Sequence, residues 1–402
     1  MERAWGDSVI PDMESLQFEG KRTFIRVDFN VPINEAGDIV DDSRIRAALP
    51  TIEHALSQGA RVILASHLGR PKGQVKEEFS LLPVAQHLSV VLDREVIFPE
   101  VCIGDSVRKL VGELKEGSVI LLENLRFHPG EEANDPTFAE RLACNADVYI
   151  NDAFGTLHRA HASTVGMVPL VPERAAGKLV KKEVDVLNQL MEAPPRPFWT
   201  ILGGAKVSDK LGVLENLIKK VDGLMIGGAM AYTFLKAKGV SVGSSRVEEG
   251  KVRQAARILE RAKVRDIPVL LPRDHVVAQE LREGAAFHTT SGPDIDEGWM
   301  GLDIGPKTLE LFSEQVGQAK TVLWNGPLGV FETAPFDQGT VGLAKVLSES
   351  AAQAVVGGGD SVAAVKKAGV QDKIFHLSTG GGATLEFLEG KTLPGLKALE
   401  TE

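Results

Sequence analysis

The sequence predicts an α/β protein of two doubly wound, mainly parallel-sheet (Rossmann-like) domains joined by a helical hinge. Three observations predict it. Short apolar runs rich in Val, Ile and Leu recur along the 402 residues without apolar/polar alternation, as strands buried on both faces do. Helical patterns separate many of them, which implies parallel sheets with helices on both faces. Near mid-chain an amphipathic helix runs into Glu192-Ala193-Pro194-Pro195-Arg196-Pro197, which cannot continue as helix.

In chain order, strands are expected at Thr23–Val27, Arg61–Ser66, Ser118–Leu122 and Asp147–Ile150. The second half repeats the pattern at Phe198–Leu202, Gly223–Ile226, Ile267–Leu271, Thr321–Trp324, Ala354–Val356 and Lys373–Leu377. Helical spacing marks Arg44–Gln58, Thr137–Ala143, Lys210–Val221, Lys251–Ala262 and Gly339–Ser350. It also marks Lys178–Met191, where Leu179, Val180, Val184, Leu187, Leu190 and Met191 share one side. The domains are therefore residues 1–180 and 198–392, with 181–197 as helical linker and hinge. A single core seldom grows to this length.

Composition narrows the function. Hydrophobic residues are 43 % and charged residues 25 %, which excludes a disordered tail or a disulfide scaffold. A net charge of −10 and 5 % aromatics argue against nucleic acid or an anionic membrane as partner. Cys102 and Cys144 form no CxxC pair, Met1 to Asp12 lacks the apolar core of a signal peptide, and Gly223 to Leu235 is too short to span a bilayer. A cytoplasmic location is expected.

Ligands of open parallel sheets bind beyond the carboxyl ends of the strands, and there the halves differ. In the first half the ends are charged: Asp28-Phe29-Asn30, His67-Leu68-Gly69-Arg70, Glu123 to His128 with Arg126, and Asn151-Asp152 followed by His158-Arg159-Ala160-His161, with Arg44 and Arg46 opening the first helix. Guanidiniums with imidazoles suit a small, highly anionic ligand such as a phosphorylated acid. In the second half the ends are glycine: Gly203-Gly204 with Lys206 and Lys210, Gly227-Gly228, Asn325-Gly326-Pro327, Gly357-Gly358-Gly359-Asp360-Ser361 and Gly380 to Gly382. Glycines admit phosphates close to the backbone, and helix starts supply N–H donors. A GxxxxGK[ST] loop and GxGxxG are both missing, which speaks against a P-loop ATPase and a sugar-phosphate dehydrogenase. His158 and His161 have metal-ligand spacing, but no cysteine or third histidine joins them locally. A two-lobed binding protein would explain the anion pocket but not the glycine ends with Lys206, Lys210 and Asp360.

Arg26 to Pro32, Ser66 to Pro71, Leu122 to Phe127, Asn151 to Gly155, Leu202 to Val207, Trp324 to Pro327, Gly357 to Asp360 and Ser378 to Ala383 together resemble the phosphoglycerate kinase family. The motifs fall in the family's order over roughly residues 16 to 400. The resemblance implies a glycolytic phosphotransferase that moves a phosphoryl group between 1,3-bisphosphoglycerate and ADP, giving 3-phosphoglycerate and ATP with Mg²⁺. It implies that the last residues, 393–402, return to the first domain. Nothing in the sequence demands a dimer, so a monomer is expected, and half-sites on separate domains call for hinge bending that closes them together. Asp28, Phe29, Asn30, Arg44, His67, Leu68, Gly69, Arg70, Arg126 and Arg159 would hold the acid. Gly203, Gly204, Lys206, Lys210, Gly227, Gly228, Gly301, Asn325, Pro327, Glu332, Gly357, Gly358, Gly359, Asp360 and Ser361 would hold the nucleotide. Arg44, Lys206, Lys210, Gly358 and Gly359 would act on the transferring group, and Asp360 on Mg²⁺. Three positions depart from the family pattern: Ser361 stands for Thr, Arg46 for Lys, and His275 for an aromatic expected near the base.

Overall fold

A computed structural model describes residues 10–401, so most of the opening segment read for a signal lies outside the described residues. The chain divides into two compact units: residues 1–185 with 392–402, and residues 186–391. The helix Lys178–Glu192 begins in the first and ends in the second.

The first unit carries six parallel strands: β1 (Arg22–Val27), β2 (Arg61–Ala65), β3 (Val96–Ile97), β4 (Val119–Leu121), β5 (Val148–Asp152) and β6 (Glu173–Ala176), in the order β3-β4-β2-β1-β5-β6. β1 is central, with Ile25 facing Leu64 on one side and Ile150 on the other. Ile45, Ala48, Ile52 and Ala55 recur at spacings of three and four in the helix Ser43–Ser57 and are buried in the core with Ile25, Val62 and Leu121. The short helix Pro394–Leu399 belongs to this unit, where Gly395 N donates to Leu157 O at 2.9 Å.

The second unit carries six more parallel strands: β7 (Phe198–Leu202), β8 (Gly223–Ile226), β9 (Val269–Leu270), β13 (Thr321–Asn325), β14 (Gln353–Gly357) and β15 (His376–Leu377). Their order is β15-β14-β13-β7-β8-β9. Ile201, Met225, Val322, Trp324 and Val356 meet Phe312, Leu343 and Leu347 in its core. An antiparallel sheet of β10 (His275–Ala278), β11 (Phe287–Thr289) and β12 (Met300–Ile304) was not foreseen. Several expected elements are shorter: only Val269–Leu270 of Ile267–Leu271 and Val119–Leu121 of Ser118–Leu122 are strand. Lys373–Leu377 keeps only its last two residues as strand, after a 3₁₀ turn at Gln371–Lys373, and the helix expected over Lys210–Val221 spans Leu211–Leu217. The helix at Thr137 starts one residue earlier, because Asp135 caps it by accepting from Phe138 N at 2.8 Å.

Candidate active site

In the first unit the charged ends of β1, β2 and β4 form one hydrogen-bonded cluster with Arg44. Asp28, just past β1, accepts from Arg44 Nη1 at 2.9 Å and Asn30 N at 3.3 Å, and Asn30 Oδ1 accepts from Gly69 N at 2.9 Å. Arg126 sits in the 3₁₀ turn that follows β4 and donates to Gly69 O at 2.8 Å. The Asn124 side chain caps that turn, accepting from Arg126 N at 3.0 Å and donating to Leu68 O at 2.8 Å. Arg159 Nε donates to His158 Nε2 at 3.2 Å. Arg70 is exposed beside Gly69.

Beneath these lies a buried cation, Arg26, to which the sequence alone assigned no role. Arg26 donates to Ser163 Oγ at 2.8 Å and to the Val27 carbonyl, and lies 3.3 Å from His67 Nδ1. Ser163 is held in turn by the fully buried Glu131, whose carboxylate accepts from its N at 3.0 Å and its Oγ at 2.6 Å. These partners are far apart in the chain, so no local pattern announces them.

The electrostatics identify this as a cationic site. Burial holds His67 well below its ordinary pKa, and the guanidiniums of Arg26, Arg126, Arg159 and Arg44 push it the same way. Burial, then Arg126, Arg26 and Arg159, lowers His161 to about 4. Burial also brings Arg126 down to about 10. Guanidiniums from four different segments therefore act on one buried imidazole, and an anion would relieve their mutual repulsion.

Three expected members have other duties. Phe29 and Leu68 are buried, so only their backbones could meet a ligand; Phe29 N donates to Ser66 Oγ at 2.8 Å. Asp152, drawn into the cluster by its strand-end position, instead accepts from Leu179 N at 2.9 Å and Val180 N at 3.3 Å at the start of the helix Lys178–Glu192. Burial lifts its pKa to about 7.

In the second unit the glycine ends of β7, β8 and β13 bring three loops into backbone contact. Gly203 N donates to Asn325 O at 2.9 Å, Gly204 N to Pro327 O at 2.8 Å, and Gly228 N to Leu328 O at 3.0 Å. Gly228 has φ +63°, and a Cβ there would lie 2.6 Å from Gly204 N, so no other residue fits. The loops border a cavity of about 220 Å³ whose lining includes Gly204, Gly228, Gly301, Pro327, Glu332 and Asp360, all expected from sequence. Tyr232, Leu302 and Gly329 also line it and were missed. The position of Tyr232, four residues after Gly-Gly228 on the next helix, was the available signal.

His275 requires a correction. It is fully buried in β10, outside that lining, with Nε2 3.1 Å from Pro293 O and Nδ1 3.5 Å from Tyr232 Oη. The aromatic at the cavity is Tyr232, and His275 backs it. Burial lowers His275 to about 4.

Lys210 and the Gly357–Gly359 turn lie around Asn325. Lys210 is nearly buried, donates to Asn325 Oδ1, and is lowered by burial to about 8. A Cβ on Gly358 would come within 3.1 Å of Asn325 Nδ2. Gly359 opens the helix Gly359–Lys367, and Asp360 is exposed in its first turn. Ser361 is buried and accepts from Gly326 N at 2.6 Å, so its hydroxyl holds a loop. Lys206 is exposed past β7, and Gly203, Gly227 and Gly357 are buried and outside the cavity lining. Among the described residues, no group of three His, Cys, Asp or Glu side chains could hold a metal by itself, and no helix is long and apolar enough to cross a membrane. Larger cavities occur elsewhere, of about 380 Å³ beside His128 and about 540 Å³ beside Lys238; chemistry, not volume, picks out the strand ends.

Comparison with known proteins follows the same lines. A family model described as phosphoglycerate kinase matches residues 13–391. The chain is 57 % identical over 390 residues to the phosphoglycerate kinase of Anaeromyxobacter sp. (strain Fw109-5), covering 96 % of this chain and 98 % of that one. It is 51 % identical to that of Clostridium novyi (strain NT), with the same coverage. The solved structure of phosphoglycerate kinase from Coxiella burnetii matches with a TM-score of 0.87 at 42 % identity, over 97 % of this chain and 99 % of that one. The Pyrococcus horikoshii OT3 structure gives 0.85 at 34 % identity, over 96 % and 98 %.

Proposed function

The chain belongs to the phosphoglycerate kinase family, and from that premise we propose which residues carry its glycolytic phosphoryl transfer between 1,3-bisphosphoglycerate and ADP. The first unit binds the phosphoglycerate through Arg44, Arg70, Arg126, Arg159, Asn30 and the backbone around Gly69. Asp28 orients Arg44, and Arg26 adds charge from below. The second unit binds the nucleotide: Tyr232, Gly228 and Gly301 flank the base, Glu332 takes the ribose, and Lys206 and Lys210 reach the phosphates. The convergence of four guanidiniums on buried His67 carries this assignment, because in a chain of net charge −10 such a cluster calls for a polyanion.

The chemistry needs no general base. A β-phosphate oxygen of ADP attacks the acyl phosphorus, the bond to the carboxyl oxygen breaks, and the carboxylate leaves already ionised. Catalysis then rests on positioning and on neutralising the charge of the phosphoryl group. Arg44, Lys210 and the N–H groups at Gly358–Gly359 supply that charge. The neutrality of His67 and His161 fits, since neither has a proton to move near pH 7. Asp360 stands in the first turn of the helix Gly359–Lys367 on the cavity lining, and one such carboxylate suits Mg²⁺ bound mainly by nucleotide phosphates. The metal would supply charge neutralisation there. The ligands belong to separate units, so transfer requires the units to approach when both are bound, which also excludes water. The enzyme works as a cytoplasmic monomer on small molecules only. A coupled assay tests this: ATP should form from ADP and 1,3-bisphosphoglycerate in the presence of Mg²⁺, and absence of turnover in the folded protein would reject it.

A further inference from the structure

The second unit holds another cavity that phosphoryl transfer does not use. Its volume is about 540 Å³, and small-molecule sites commonly span about 300–1,000 Å³. Leu235, Val240, Leu271 and Leu311 give it an apolar wall, and Lys238, Arg273 and Lys307 stand on it, all three exposed. Among the described residues, no Asp or Glu side chain lines it, and none of these cations is paired with a carboxylate. Asp274, next to Arg273, is fully buried. Its oxygens are taken by Lys307 N at 3.0 Å, Thr308 N at 2.8 Å and Thr308 Oγ1 at 2.7 Å. The Lys307 ammonium donates to Ser291 O at 3.0 Å, which keeps it beside the groove.

The groove is distinct from the nucleotide cavity. Tyr232 lines one, and Leu235, about one turn further along the helix Met230–Ala237, lines the other; no residue lines both.

We infer that this groove binds a soluble amphiphilic anion, a hydrocarbon or aryl group of a few carbons that ends in a phosphate or carboxylate. The apolar wall alone would not select for charge, and exposed cations alone hold a small anion weakly. A ligand with both ends uses both features, and three cations without a carboxylate partner in a chain of net charge −10 select the sign of that charge.

Octyl phosphate is the probe. It is titrated calorimetrically into the full-length enzyme saturated with MgADP and 3-phosphoglycerate, so that the reaction's own anion sites are filled. Saturable binding that weakens as salt rises is expected, with none for inorganic phosphate or 1-octanol. The combined Lys238→Gln, Arg273→Gln and Lys307→Gln variant should bind about tenfold or more weakly. Gly292→Trp provides an independent variant: Gly292 lines the groove, and a Cβ there meets nothing within 4 Å, so the indole can fill the space and abolish binding. Turnover should be unchanged in both. Absence of saturable binding, equal affinity in both variants, or equal binding of inorganic phosphate or 1-octanol would overturn the inference.

Discussion

Replacing Lys210 by methionine separates what this lysine does to stability from what it does to the reaction. The residue is 9 % exposed, and burial brings its pKa from 10.5 to about 8 against the pull of Asp209 and Asp360. That displacement means the charged form costs the folded chain roughly 3 kcal/mol. Its ammonium also donates to Asn325 Oδ1, and Asn325 is fully buried with no partner for Nδ2 among the described residues. Losing that donor costs about 1–3 kcal/mol. Methionine preserves most of the stem's packing. The two effects oppose each other at similar size, so the unfolding free energy at pH 7 should lie within about 2 kcal/mol of the parent's. Turnover should fall about 10²–10³-fold, as for loss of one preorganised charge. The pH dependence adds an independent test. Between pH 8 and 10.5 the unfolded chain holds the lysine proton and the folded chain does not, so this lysine makes stability rise with pH there. The variant should lack that rise. Urea unfolding at pH 7, 8 and 10 with steady-state kinetics measures both. Near-parental turnover, or an unchanged rise across that window, would refute the reasoning.

Other consequences follow from the same geometry. Arg44→Ala should lower kcat about 10²–10³-fold while calorimetry finds MgADP affinity unchanged; a selective loss of MgADP binding would contradict its place on the acid side. A Cβ at Gly301 would lie 1.9 Å from the Tyr232 hydroxyl, so Gly301→Val should displace that ring and weaken nucleotide binding about tenfold or more, with 3-phosphoglycerate binding intact. The folded-state pKa of His161, about 4, lies below its ordinary 6.5. As pH falls through that window the unfolded chain gains a proton that the folded chain refuses, so stability should drop from pH 6.5 to about 4, and less steeply in His161→Asn. Removing Mg²⁺ with a chelator should abolish turnover yet leave the urea midpoint of the ligand-free enzyme unchanged, since no protein-only metal cluster exists among the described residues.

The buried strands were legible because their residues are apolar on both faces, as in β7, β8 and β13. β3 and β6 were not: β3 has two residues, and β6 reads Glu-Arg-Ala-Ala, without an apolar run. The antiparallel sheet escaped because His275–Ala278 and the exposed Phe287–Thr289 are too short to show a period. Most candidate residues could be read from strand ends, since topology gathers those ends on one edge. Their burial could not. Phe29 turned inward, Ser361 committed its hydroxyl to Gly326, and His275 moved behind Tyr232. The Glu131–Ser163–Arg26 chain links segments up to 137 positions apart, and only folding brings them together.

The acid and the nucleotide are assigned to different units. Hydrogen–deuterium exchange of the full-length enzyme with each ligand alone tests that assignment. 3-Phosphoglycerate should protect the peptides holding Asp28–Asn30, His67–Arg70 and Arg126, and leave those of the second unit unchanged. MgADP should protect the peptides holding Gly203–Lys210, Gly227–Tyr232, Asn325–Glu332 and Gly357–Ser361. Protection by both ligands in the same unit, or the reverse pattern, would contradict the assignment.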